Sequence, residues 1–239
     1  MSTPHAFVVE GHYPAVLRFL SDAPPGRCLD VPAGQGAFAV ELLKHGQQDI
    51  DCLDITDEGF AVPEARFTKY NANDPLPFPD ATFDYVFSVE GIEHFDSPFT
   101  FVMDLCRVLK PGGRLFITTP NTFSVDARLK YLISGYFPRF RPLMKEPHRL
   151  LADGDIRDTH IAPIYFWQLN YFLLRGGVKL TRITCNAQIR KTGFLQRLVE
   201  NWVAGRIRAN SKRRNLPDPG ITSGDVLFGD CIVIEAVKT

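Results

Sequence analysis

The sequence lacks several features, and each gap removes a class of protein. No stretch approaches the roughly 18 consecutive apolar residues of a membrane helix, and the mean hydropathy is −0.08. The opening residues, MSTPHAFVVEGHYP, hold no basic segment followed by an apolar one, so a secretory signal is not expected. Cysteines are few: Cys28, Cys52, Cys106, Cys185 and Cys231 lie far apart with no C-x-x-C pair. That scatter excludes a disulfide framework and a zinc knuckle, fits a reducing cytoplasm, and leaves the thiols as small core fillers. No repeat or low-complexity tract interrupts the chain. Net charge is absent too, because 27 Lys and Arg balance 27 Asp and Glu. The balance hides a segregation, with acids predominating in residues 1–124 and bases in 125–239. What is present, 45% apolar and 23% charged residues in 239, is the make-up of a globular α/β chain, read here as a single domain over 1–239.

Apolar periodicity predicts alternating elements. Helices are expected over 12–22, 37–46, 98–110, 125–137, 163–177 and 195–207. Strands are expected over 27–31, 50–55, 65–70, 83–89, 114–120, 178–185 and 226–238. Strand–helix alternation in the first half predicts a doubly wound, mostly parallel sheet. In 195–207 the residues Leu195, Leu198, Val199, Trp202, Val203 and Ile207 fall on one helical stripe.

The strongest local signal is Asp30-Val31-Pro32-Ala33-Gly34-Gln35-Gly36, between a predicted strand and a predicted helix. Glycines at 34 and 36 let the backbone approach a ligand and leave a helix N-terminus open to polar groups. Asp54 ends the next strand 20 residues after Gly34, the spacing at which an acid reaches ribose hydroxyls in doubly wound folds. A dinucleotide would bring its pyrophosphate against Asp30, which like charge disfavours. A sulfonium or ammonium there is favoured instead, and ribose plus cation describe S-adenosyl-L-methionine. Two other readings stay open: a tight turn without ligand, and Asp30 as a cap on nearby amides.

CLDVPAGQGAFAVELL, LDIT, NDPLPFPDATFDYVFSVEGIEHFDSP and CRVLKPGGRLFITTPN resemble the successive motifs of class I S-adenosylmethionine-dependent methyltransferases. The likeness is to their small-molecule branch, with its quinone-biosynthesis and glycan-modifying members. It is close over about residues 27–121 and loose beyond. It implies a Rossmann-like seven-stranded sheet with the last strand antiparallel, plus a partly helical cap from 123–162 and 188–222. It assigns the cofactor to Asp30, Val31, Pro32, Ala33, Gly34, Gly36, Asp54, Ile55, Asn71, Ala72, Ser88 and Val89. Two positions depart from the pattern. Pro32 replaces a glycine and removes a backbone donor. Asn71 replaces the acid that accepts from the adenine amine, a task its amide oxygen can still perform.

Methyl transfer needs alignment, and a base where the acceptor is a hydroxyl. His94, with Glu93 to hold its tautomer, follows the fourth strand; His160 and, more weakly, His148 lie in a later loop. Each can equally be a helix-start or loop residue. Asp155, Asp158 and His160 fit no closed metal-ligand set, so no metal is assigned. Residues 188–216 hold Arg190, Lys191, Arg197, Arg206, Arg208, Lys212, Arg213 and Arg214 against Glu200, with aromatics between. Either this is a solvated basic face whose apolar side packs on the domain, or it docks an anionic acceptor or a membrane surface reversibly. No nucleic-acid-binding module is visible. The expected function is O-methylation of a small, lipid-linked or glycan acceptor by a cytoplasmic enzyme, peripheral at most to the inner membrane face. A non-catalytic methyltransferase-like module and an NAD-dependent oxidoreductase are the alternatives.

Overall fold

A computed structural model describes residues 11–140, 160–189, 193–217 and 220–239. The strands are β1 (Arg27–Asp30), β2 (Asp49–Asp54), β3 (Arg66–Lys69), β4 (Phe83–Val89), β5 (Leu109–Pro120), β6 (Val178–Cys185) and β7 (Cys231–Lys238). They form one sheet in the order β3-β2-β1-β4-β5-β7-β6. Neighbours run parallel from β3 to β5. β7 lies antiparallel between β5 and β6, as expected. The helices are α1 (His12–Leu17), α2 (Ala37–Lys44), α3 (Pro98–Val108), α4 (Val125–Ser134), α5 (Phe166–Arg175), α6 (Phe194–Arg213) and α7 (Gly224–Phe228).

Strand side chains alternate between two apolar layers. Val86, Leu115 and Ile117 join Leu105, Leu169 and Leu173 under α3 and α5. Cys28, Phe87 and Phe116 join Val16 and Leu42 under α1 and α2, with the Phe87 and Phe116 rings stacked at 5.0 Å. Both faces are therefore covered, which is why β4 reads as a continuous apolar run. All five cysteines are buried and free, filling the role expected of them.

Three expectations are corrected. The 98–110 helix stops at Val108, because Leu109 pairs with Phe83 and opens β5. The predicted strand 226–238 starts only at Cys231. Before it, Ser223 accepts the Val226 N–H and caps the short α7, and Gly229 ends that helix. Pro163 precedes rather than opens α5, whose N-cap is Tyr165.

The chain reverses strand order between β1 and β4, so their carboxyl ends border the switch-point crevice where ligands bind in open α/β sheets. Asp30 and Ser88–Val89 stand at that edge.

Candidate functional site

The β1–α2 turn is folded by its own backbone. Val31 N–H donates to Phe87 O, Ala33 N–H to Leu53 O and Gly36 N–H to Ala33 O, at 2.9–3.0 Å. The Val31–Pro32 peptide is cis. Gly36 has φ +88, and a Cβ there would lie 2.6 Å from Val62 and 2.8 Å from Phe60. Only glycine fits that conformation and space. Asp54 accepts the Gly34 N–H at 2.8 Å and the Thr56 N–H at 3.2 Å, which ties the end of β2 to the turn. Ile55 beside it is 51% exposed, an apolar plate at the carboxyl end of β2. Ala72 is buried. Asn71 is exposed, and its amide oxygen already accepts the Asn73 N–H at 3.1 Å. That oxygen serves a local turn, so its expected use for an adenine amine would have to share it.

Asp30 is the exceptional group. It is 1% exposed, and Oδ2 meets no hydrogen-bond donor. Burial, followed by the nearby Asp54 charge, pushes its pKa well above the carboxylate range. A buried acceptor with no donor is costly by itself. A cationic group in the crevice would supply what it lacks. Ser88, fully buried with Oγ likewise unpartnered, borders the same edge. Exposed Ile55, buried Asp54 beside Gly34, and buried Asp30 thus suit an apolar ring, a polyol and a cation in turn.

After β4 the chain turns sharply. Glu90 has φ +51, and its N–H donates to Thr118 Oγ1 at 2.9 Å. Gly91 follows with no room for a side chain, since a Cβ would lie 2.3 Å from Pro32 Cδ. Pro32 therefore seats the β1–α2 turn directly on the post-β4 turn. A single 3-10 turn, Ile92–His94, comes next. Its Glu93 carbonyl accepts the N–H groups of both Ile161 and Ala162 at 3.0 Å, and this pins the residue before them, His160, over His94. The two imidazoles meet edge to face at 4.8 Å. One ligating atom each from Glu93, His94 and His160 lies within 4.8 Å of the others. The three sequence candidates for the chemistry are thus brought together. His148, Asp155 and Asp158 lie outside the described residues.

Glu93 is fully buried. Neither of its carboxyl oxygens has a hydrogen-bond partner among the described residues, so the bond expected to hold the His94 tautomer is not formed in this arrangement. Burial and then the Glu90 charge raise its pKa well above the usual carboxylate range. Glu90 behaves oppositely. Burial would raise it, yet His12 at 3.2 Å and then Arg139 and His160 outweigh that and hold it ionised. Arg139 reaches Glu90 at 3.3 Å and also pairs with Asp230. His12, Arg139 and Cys231, which completes this cluster, come from α1, a loop and β7. No motif spacing connects them, so the sequence offered no signal.

Two clefts open beside β5. One, of about 420 Å³, is walled by Phe123, Tyr131, Phe137, Tyr165 and Trp167 with Arg128. The Arg128 guanidinium lies over the Phe123 ring at 4.3 Å. The segment after His160 continues into this wall through Pro163 and Tyr165. The other, of about 340 Å³, has a mixed lining that includes Lys130, Arg139 and Asp230. Neither includes the Asp30–Gly36 turn.

Fold and crevice define a nucleotide-cofactor domain of the doubly wound class, and comparison specifies it further. Residues 29–117 match the family model described as methyltransferase domain. The O-methyltransferase resE of Aspergillus sclerotiorum is 34% identical over 203 residues, 73% of this chain and 75% of that protein. The ubiquinone/menaquinone biosynthesis C-methyltransferase UbiE of Ruegeria sp. is 31% identical over 158 residues, 55% of this chain and 62% of that one. Among solved structures, the 1,6-didemethyltoxoflavin-N1-methyltransferase of Burkholderia thailandensis, with 1,6-didemethyltoxoflavin and S-adenosylhomocysteine bound, superposes with a TM-score of 0.54. Its identity is 13%, over 95% of this chain and 76% of that one. The chain belongs to the class I S-adenosylmethionine-dependent methyltransferases. Its cofactor is S-adenosylmethionine and its reaction is methyl transfer. No helix among the described residues is long and apolar enough to cross a membrane.

Proposed function

We propose that the protein O-methylates a small, largely apolar hydroxylated acceptor, with His94 as the group that takes the hydroxyl proton. The observation that carries this reading is the His94–His160–Glu93 cluster at the carboxyl edge of β4, next to the cofactor turn. When bound, S-adenosylmethionine supplies a methyl group already activated on a sulfonium. Asp30 would face its cationic part, Gly34 and Gly36 would allow close backbone approach, Asp54 would accept from the ribose hydroxyls, and Ile55 and Ala72 would flank the adenine. Val31, Pro32, Ala33, Ser88 and Val89 would form the crevice wall. His94 would hold the acceptor oxygen and receive its proton, while His160, edge to face against it, and buried Glu93 beside it would fix the ring. The aromatic cleft, under a cap drawn from 123–162 and 188–222, would exclude water from the acceptor.

The Asp54 assignment has a direct test. Asp54→Ala is expected to weaken S-adenosylmethionine binding by about 1–3 kcal/mol, the cost of losing charged hydrogen bonds in a nearly buried site. Calorimetric titration reads it, and an unchanged dissociation constant would remove Asp54 from the ribose site.

A second reading is C-methylation, which the quinone-biosynthesis relative favours. Labelled S-adenosylmethionine offered with a panel of phenols and quinols separates the two. Mass spectrometry and NMR of the product are expected to place the label on oxygen. Label confined to ring carbon would replace the O-methylation reading.

A further inference from the structure

The structure divides the apolar stripe of α6: Val203 and Ile207 pack on the domain, whereas Leu195, Leu198, Val199 and Trp202 face outward. The residues that α6 buries are Glu200, Ala204 and Ser211, at one helical face. On the opposite face Phe194 and Leu195 are each 76% exposed, Trp202 68%, Leu198 50% and Val199 48%. A helix with small and polar groups inward and its largest apolar groups in solvent is inverted relative to an ordinary surface helix. The contact of α6 with α4 does not relieve this. Val125 and Leu129 pack on Val203, Ala204 and Ile207, leaving Leu132 and Ile133 at the end of α4 80% and 86% exposed. Scattered exposed apolar side chains are ordinary, but a contiguous stripe marks a surface that some apolar phase covers.

Charge indicates which phase. Farther along the same outward face of α6 come Arg206, Lys212 and Arg213, and Arg197 flanks the apolar half. Glu200, the one acid of the helix, points inward and is held by Gln196 at 3.2 Å. The outward surface therefore presents aromatic and aliphatic groups together with cations and no carboxylate of its own helix. That combination matches an anionic lipid surface, where apolar side chains enter the acyl boundary and cations meet headgroups. We propose that α6 docks the protein reversibly on anionic membranes. The inner side of the same helix lines the aromatic cleft through Ile207, Asn210 and Ser211, so docking would bring that cleft to the bilayer surface. The inference goes beyond the O-methylation reading and stands without it.

The test uses the full chain with vesicles of phosphatidylcholine alone and of phosphatidylcholine mixed with phosphatidylglycerol. Co-sedimentation is expected with the anionic vesicles only and weakens with added salt. A Trp167→Phe background leaves Trp202 as the reporter, because the chain has two tryptophans. Its emission should shift to the blue on vesicle binding and be quenched by brominated lipid. Leu198→Ser with Trp202→Ser should lower vesicle affinity by at least about tenfold, and Arg206→Glu with Arg213→Glu by a similar factor. These side chains are exposed, so circular dichroism should be unchanged. Three results would each overturn the proposal. One is no sedimentation with anionic vesicles. Another is equal binding by the Leu198→Ser, Trp202→Ser protein. The third is a dimer in light scattering that this pair of substitutions dissolves, which would make a second copy the covering surface.

Discussion

Replacing His94 by alanine is expected to slow methyl transfer by about 10²–10⁴-fold, the usual contribution of a positioned proton acceptor. Cofactor binding should be largely retained, because His94 lies in the separate 3-10 turn after Gly91 and the backbone bonds that fold the Asp30–Gly36 turn do not include it. The two measurements together separate a role in chemistry from a role in folding. A binding isotherm matching the parent shows an intact crevice, and the lost rate then belongs to the acceptor side. His94→Gln sharpens the test, since glutamine can hydrogen-bond the acceptor but cannot take its proton. It should bind acceptor with a similar KM and still turn over slowly. A His94→Ala enzyme within about twofold of the parent rate would assign the residue to loop structure. His160→Ala should be milder on this account, because it holds the ring of His94 rather than the proton.

The second large effect concerns stability and lies at the opposite side of β7 from the chemistry. Glu235 is 3% exposed and accepts from Arg114 Nε at 2.6 Å and Thr181 Oγ1 at 3.1 Å, and it also pairs with Arg182. Both arginines also donate to the Phe19 carbonyl. One carboxylate thus joins β5, β6 and β7 and fastens the 3-10 turn that follows α1. Glu235→Ala leaves Arg114, 19% exposed at its side chain, without its counter-charge. Removing one partner of a buried pair costs about 3–5 kcal/mol, which for a chain of this size lowers Tm by roughly 10 °C. Chemical denaturation should show the loss as a lower midpoint with little change in slope. The pH dependence has a definite sign. Burial alone would raise the Glu235 pKa, but Arg182 and Arg114 overcome it and the folded-state value is depressed. Its contribution is therefore complete above the unfolded carboxylate pKa and is lost as pH falls through the lower folded value. The parent protein should lose stability across the acid range more steeply than Glu235→Gln, which has no such charge to protonate.

The parts legible in the sequence are those whose physics is local. The β1–α2 turn, Asp54 and the Glu93–His94 corner each sit within a few residues of a strand end, so spacing alone places them. The alternation of elements sufficed for the sheet, and its antiparallel last strand came from resemblance. What was not legible depended on direction or on distance. Periodicity shows that Leu195, Leu198 and Trp202 share a face, but not whether that face looks at the core. The capping of α7 by Ser223 competes with an apolar run, VLFGDCIVIEAV, that reads as strand throughout. The cluster of His12, Glu90, Arg139 and Cys231 draws on four separate segments, which only tertiary folding brings together. Asn71 fell between the cases: its position was foreseen, but its engagement by Asn73 was not.

The grip of the Glu93 carbonyl on Ile161 and Ala162 is a backbone-to-backbone joint. It depends on no side chain, so sequence drift beyond it leaves the fastening unchanged. The His94 corner and the aromatic wall after His160 can in this way diverge at different rates, with the joint between them unchanged. On the proposed reading, a lineage with this joint could exchange its acceptor without rebuilding the corner that receives the proton.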